Sequence, residues 1–205
     1  MWPRSAETQV LLDDARLNKP GAEDQLLARH RDALRRMIAM RLDPALAGRL
    51  DASDVVQEVM VEAHRRLKDY LENPAMPFHL WLRHIAHDHM IDAHRRHRQA
   101  QRRSLDREQP LNVALPHDRS SVELMVQLLD RERTPASAAL QHELEQKLQV
   151  ALARLEEDQR EILLMRHFEQ LSNQEVATAL GLSEPAASMR YLRALRRLRD
   201  LMLDP

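Results

Sequence analysis

The chain has 205 residues, 31% of them charged, with three glycines, no cysteine and a net charge of −1. These totals exclude disulfides, thiolate metal sites and a uniformly basic nucleic-acid coat. No apolar run nears the roughly 18 residues of a membrane span, and Met1 to Pro20 lacks a signal-peptide core, so a soluble cytoplasmic protein is expected.

With so few glycines, an all-α chain is expected, long enough for one ordinary domain or two small ones. The charge is uneven. Six arginines lie between Arg83 and Arg103, against Asp88 and Asp92, and five lie between Ala186 and Arg199 with no acid. Two separate cationic patches suit two localised contacts.

In chain order, Ala22 to Arg41 reads as an amphipathic helix with Leu26, Leu27, His30, Leu34, Met37, Ile38 and Met40 on one side. Pro44 ends it. Asp51 is a good N-cap for a helix over Ala52 to Leu71, whose stripe is Val55, Val56, Val59, Met60, Ala63, Leu67 and Tyr70. Asn73, Pro74 and Pro77 enforce a short loop. A third long helix starts at Phe78, with Phe78, Leu82, Ile85, His89 and Ala93 on its apolar side. Arg83, His87, His94 and Arg98 form the opposite stripe.

Residues 104–136, with Pro110, Pro116 and Pro135, read as a flexible linker, although Val122 to Leu129 could form a helical turn or two. Helices are expected over Ser137 to Leu155 and Asp158 to Glu169. Ser172 and Glu175 then make a capping box, and Gly181 stands where a left-handed C-terminal residue is needed. Ser183 caps the next helix, with Pro185 in its first turn. Helix, tight turn and arginine-bearing helix together form a helix-turn-helix, the second helix packing through Ala187, Tyr191, Ala194 and Leu198. Its leading turns offer Ala186, Ser188 and Met189, poor hydrogen-bonding readers, so discrimination must lean on shape, apolar contacts and phosphate positioning.

The histidines of the third helix form i,i+3 pairs (His84 with His87, His94 with His97) that could grip a metal, and His87 with Asp88 suggests a phosphohydrolase. Neighbouring arginines would repel a dication, and no second ligand cluster occurs, so neither metal nor cofactor is expected. The remaining option is a cationic helix that faces nucleic acid, whose binding would weaken with salt and strengthen toward pH 6. Asp54, Gln57 and Glu58 form a polar edge, either a solvated face or a contact surface. Trp81 and Phe78 suit either the core or base stacking.

Taken together, DASDVVQEVMVEAHRRL, FHLWLRHIAHDHMIDAHRRHR and LSNQEVATALGLSEPAASMRYLRALRRLR resemble a bacterial RNA polymerase sigma factor of the two-region, extracytoplasmic-function type, with wording similar to planctomycete members. The resemblance implies two small helical domains. Residues 22–103 would form a region 2-like bundle after an N-terminal extension, 1–21, and 137–205 a region 4-like domain. It also implies a non-enzymatic subunit without a small-molecule substrate. Asp54, Val55, Val56, Gln57 and Glu58 match the patch that docks on the polymerase β′ clamp helices, and the β flap is a further polymerase contact. Trp81, Arg83, Arg95, Arg96 and Arg98 would meet the −10 element. Arg166, Ser172 and Gln174 would position the −35 backbone, while Ser183, Pro185, Ala186, Ser188, Met189 and Arg193 would line its groove. An anti-sigma factor is a further implied partner. Asp88 departs from the family's usual asparagine, and Ser188 replaces its usual basic or polar reader. The alternative is a helix-turn-helix regulator that binds an operator without docking on core polymerase.

Overall fold

The computed structural model describes residues 2–41, 51–103 and 138–203, and among these every regular element is helical. The expected linker and its Val122 to Leu129 turn lie outside the described residues. The chain falls into two compact units, within residues 1–116 and 117–205.

The first unit contains α1 (Ser5–Arg16), α2 (Ala22–Ala39), α3 (Ala52–Glu72) and α4 (Phe78–Arg103). The Asp51 side chain accepts from the Ser53 N–H at 2.9 Å, which opens α3. The Pro77 carbonyl starts α4 by accepting from Leu80 and Trp81. α2, α3 and α4 pack on one another. Their core holds Leu26, Leu34, Ile38, Leu67, Leu80 and Leu82, all fully buried. Each such side chain contributes about 1.5–3 kcal/mol by leaving water.

Two features of this unit differ from the sequence expectation. Residues 1–21, read as an extension, contain α1, which packs on α2 and α3 through Thr8, Leu12 and Ala15. The Thr8 hydroxyl meets His30 Nε2 at 3.2 Å, an Arg29–Glu7 ion pair ties α2 to α1, and the Trp2 ring tilts against His30 and His79. On α4, the buried arc reaches past the expected stripe to Leu80, Arg83 and Met90. Because α4 touches both α2 and α3, it buries a wider arc than a single-partner stripe. His89, expected on the apolar side, therefore falls on its rim. Arg83, expected on the opposite stripe, is only 3% exposed.

The second unit contains α5 (Ala138–Ala153), α6 (Glu157–Leu163), a π-helical turn (Leu164–Phe168), α7 (Asn173–Leu180) and α8 (Glu184–Leu203). α5, α6 and α7 all pack on α8 around Leu148, Ile162, Leu163, Met165, Val176 and Leu198. A continuous helix was expected from Asp158 to Glu169. The chain instead widens at Leu164, where the Glu169 N–H reaches the Leu164 carbonyl, so Leu164, Met165 and His167 are all buried. Such wide turns reset which side chains face inward.

Candidate nucleic-acid and protein interfaces

The helix-turn-helix follows from its caps. The Ser172 hydroxyl accepts from the Glu175 N–H at 3.2 Å, and the Glu175 carboxylate accepts from the Ser172 N–H at 2.7 Å. Gly181 ends α7 at φ 63°, a conformation that costs glycine nothing. The Ser183 hydroxyl accepts from the Ala186 N–H, and Asn173 donates to the Glu184 carbonyl across the turn. Ala187, Ala194 and Leu198 anchor α8 inward. Ser183, Pro185, Ala186, Met189 and Arg193 are exposed together, whereas Ser188 is half-buried. On α7 and its cap, Ser172 and Gln174 are exposed.

Arg166 is held from inside the domain. Its guanidinium donates to the Leu171 carbonyl at 2.7 Å and lies 5.5 Å from the centre of the Tyr191 ring. His167 Nε2 meets the Tyr191 hydroxyl at 3.0 Å. Burial, and then the Arg166 charge, lower the His167 pKa to about 4. Burial raises Tyr191, against the pull of Arg166. The triad joins the π turn to α8, the second or recognition helix of the helix-turn-helix, a link that sequence spacing does not reveal.

In the first unit the polar edge of α3 opens onto a groove of about 600 Å³, lined by Asp54, Gln57, Glu58 and Val61 and, across it, by His89, Asp92 and Arg95 of α4. Asp54, Gln57 and Glu58 are exposed, but Val55 and Val56 beside them are 2% and 1% exposed. The two valines therefore hold the edge in place from the core and offer no surface. His89 Nδ1 lies 3.5 Å from Glu58 Oε2. Glu62 accepts from Arg66 at 2.6 Å, which holds its carboxyl below the usual range.

The arginines of α4 expected at the −10 element separate. Arg83 is buried beneath the surface, a correction to its expected phosphate contact. Arg95 is exposed in the mixed-charge groove, 3.9 Å from Asp92. The side chains of Arg96 and Arg98 lie outside the described residues. Trp81 is half-buried and stacks on Tyr70 at 4.7 Å and Phe78 at 5.4 Å, so it belongs to the core edge and the surface at once. The Tyr70 hydroxyl donates to the Met76 carbonyl at 2.9 Å, tying the exposed loop 73–75 to this aromatic stack. Among the described residues, no group of three or more histidines or acids is placed to hold a metal ion.

The sequence matches the family profile "Sigma-70 region 2" over residues 26–100 and "Sigma-70, region 4" over residues 145–198, together well over half of the chain. The chain belongs to the sigma-70 family. It is a two-region sigma factor that directs transcription initiation, and its family is not one of catalytic enzymes. Both regions, in this order, set aside the plain operator-binding regulator and the phosphohydrolase. The fold of this sigma factor is similar to that of CnrH in its complex with the cytosolic domain of CnrY, with a TM-score of 0.56 and 24% identity over 95% of this chain and 96% of that one. It is also similar to the sigma factor RpoE in complex with the anti-sigma factor NepR from Bartonella quintana, with a TM-score of 0.55 and 19% identity over 85% and 93% of the two chains. Comparison with curated protein sequences gave no match.

Proposed function

We propose that this sigma factor docks on core RNA polymerase through the exposed Asp54, Gln57 and Glu58 edge of α3 and positions promoter DNA at two surfaces. The edge carries the proposal: two carboxylates and an amide stand exposed beside two buried valines, along an open groove of about 600 Å³. The first DNA surface is the loop 73–77 with Trp81 above its aromatic stack, suited to holding unstacked bases of the −10 element. Further along the sequence of α4, Arg96 and Arg98 add formal positive charge, while Arg95 stands in the groove beside the docking edge. The second is the exposed face of α8 with Ser172 and Gln174, set in the major groove of the −35 element. Linking two modules raises the effective concentration of each at one promoter.

A near-neutral chain binds duplex DNA weakly when free and gains productive geometry on polymerase. CnrH and RpoE were each solved with a protein partner, which supports an anti-sigma partner here too. No described helix is long and apolar enough to cross a membrane, in keeping with work beside cytoplasmic DNA. The test is charge reversal. Wild-type chain should co-purify with core polymerase and support RNA synthesis from native templates, whereas the double variant Asp54→Lys, Glu58→Lys should remain folded and do neither. Retained co-purification by the variant would sink the docking assignment.

A further inference from the structure

The outward face of α8 has an unexpected composition. Met189 is 51% exposed and Leu192 43% exposed, with Pro185 and Ala186 exposed a turn earlier. They share this face with exposed Arg193 and Arg196, opposite the buried row of Ala187, Ala194 and Leu198. The polar groups nearby are occupied or turned aside. Arg190 pairs with Asp158 of α6 at 3.1 Å, Ser188 is half-buried, and the Ser183 hydroxyl accepts from the Ala186 N–H. In the first three turns this leaves an apolar strip with cations behind it.

A strip of that kind commits to one occupant. Cations flanking it complement phosphates, and in the major groove the apolar feature of a base edge is the C5-methyl of thymine. We infer that the recognition helix reads thymine methyl groups in the −35 element through Met189 and Leu192, with Ala186 alongside and Arg193 and Arg196 fixing the backbone. The inference rests on the proposed placement of α8 in that element. Met189 suits the task because its unbranched thioether adapts to irregular apolar surfaces. Hydrogen-bond readout is then secondary, and specificity comes from where methyls fall along the groove.

The test uses holoenzyme reconstituted from core polymerase and the full chain. Upstream elements are first selected from a randomised duplex library. Selected duplexes are then resynthesised with uracil in place of each thymine, which removes the methyl and leaves base pairing intact. Wild-type holoenzyme should bind each uracil template at a contacted position about fourfold more weakly, the worth of one buried methyl-sized group. Met189→Ala should erase the difference at one position and Leu192→Ala at another, with the salt dependence of binding unchanged. Met189→Gln should shift preference toward adenine, which a glutamine can pair in bidentate fashion. Equal binding of thymine and uracil templates by the wild type overturns the inference, as does a uracil penalty that survives in both alanine variants. Failure of the underlying reading looks different: no RNA from any template, methylated or not.

Discussion

His167 Nε2 and the Tyr191 hydroxyl meet at 3.0 Å, fastening the π-helical turn to the middle of the recognition helix. The histidine is 5% exposed and stays neutral, because burial and the adjacent Arg166 both oppose its charging. In the first unit His30 is 1% exposed, set against Trp2 and Phe78, with Thr8 on Nε2 and Nδ1 without a partner. Burial, with His79 and Arg29 nearby, lowers its pKa to about 4 as well.

Both shifts make the fold sensitive to acid. The folded pKa lies below the ordinary value of 6.5, so the unfolded chain takes up the proton first as pH falls. Stability is full above about pH 6.5, declines down to about pH 4 and then levels off, roughly 1–2 kcal/mol per histidine being lost by pH 5. Thermal unfolding at pH 7 and pH 5 should show Tm falling by roughly 5–10 °C in each unit. Tryptophan emission reports the first unit, where Trp2 and Trp81 both lie. His167→Gln should flatten the response of the second unit alone. An unchanged Tm between the two pH values would contradict the burial of these rings.

Arg166 is engaged with the Leu171 carbonyl and the Tyr191 ring, which makes it a positioning residue. Arg166→Ala should destabilise the second unit by about 2–3 kcal/mol, from one charge-assisted hydrogen bond and one cation–π contact. The slope of log affinity for promoter DNA against log salt should not change. Arg193→Ala, on the exposed face, should instead lower that slope by about 0.9 with little effect on stability. Equal slopes for the two variants would show that Arg166 reaches a phosphate.

Tyr70 ties the loop before α4 to the aromatic stack through one hydroxyl. Tyr70→Phe keeps the ring and removes the tether, costing about 1 kcal/mol of stability. Promoter opening, followed by 2-aminopurine fluorescence in the downstream element, should slow by up to about fivefold. Initial capture of closed duplex should be unchanged. If opening kinetics match the wild type, the tether has no part in strand separation.

Under the proposed docking, Val56→Ala and Asp54→Lys should separate folding from polymerase binding on one helix. Val56→Ala should cost about 1–3 kcal/mol, because a 1% exposed side chain leaves a cavity, while folded protein keeps its polymerase affinity. Asp54→Lys should weaken polymerase binding and shift stability by no more than about 1 kcal/mol, the loss of a favourable acid at the start of α3. Denaturant titration and pull-down from the same samples distinguish the two.

Much of this protein is legible locally. The Asp51 cap, the Ser172–Glu175 box, the left-handed Gly181 and the inward row Ala187, Ala194 and Leu198 all follow from neighbours within a few residues, because caps and helix faces are set by short-range geometry. The family motifs are equally continuous in sequence, so the two sigma regions could be read from the chain alone. What needed tertiary structure depends on partners far away along the chain. α1 carries just three buried residues, Thr8, Leu12 and Ala15, and their spacing gains meaning only against α2 and α3. Arg83 is buried, and His89 stands at the rim beside Glu58, because α4 packs against two helices at once. The π turn, and Arg166 captured by Tyr191, follow from a contact between α8 and a segment 24 residues earlier, set by three-dimensional packing and not by periodicity.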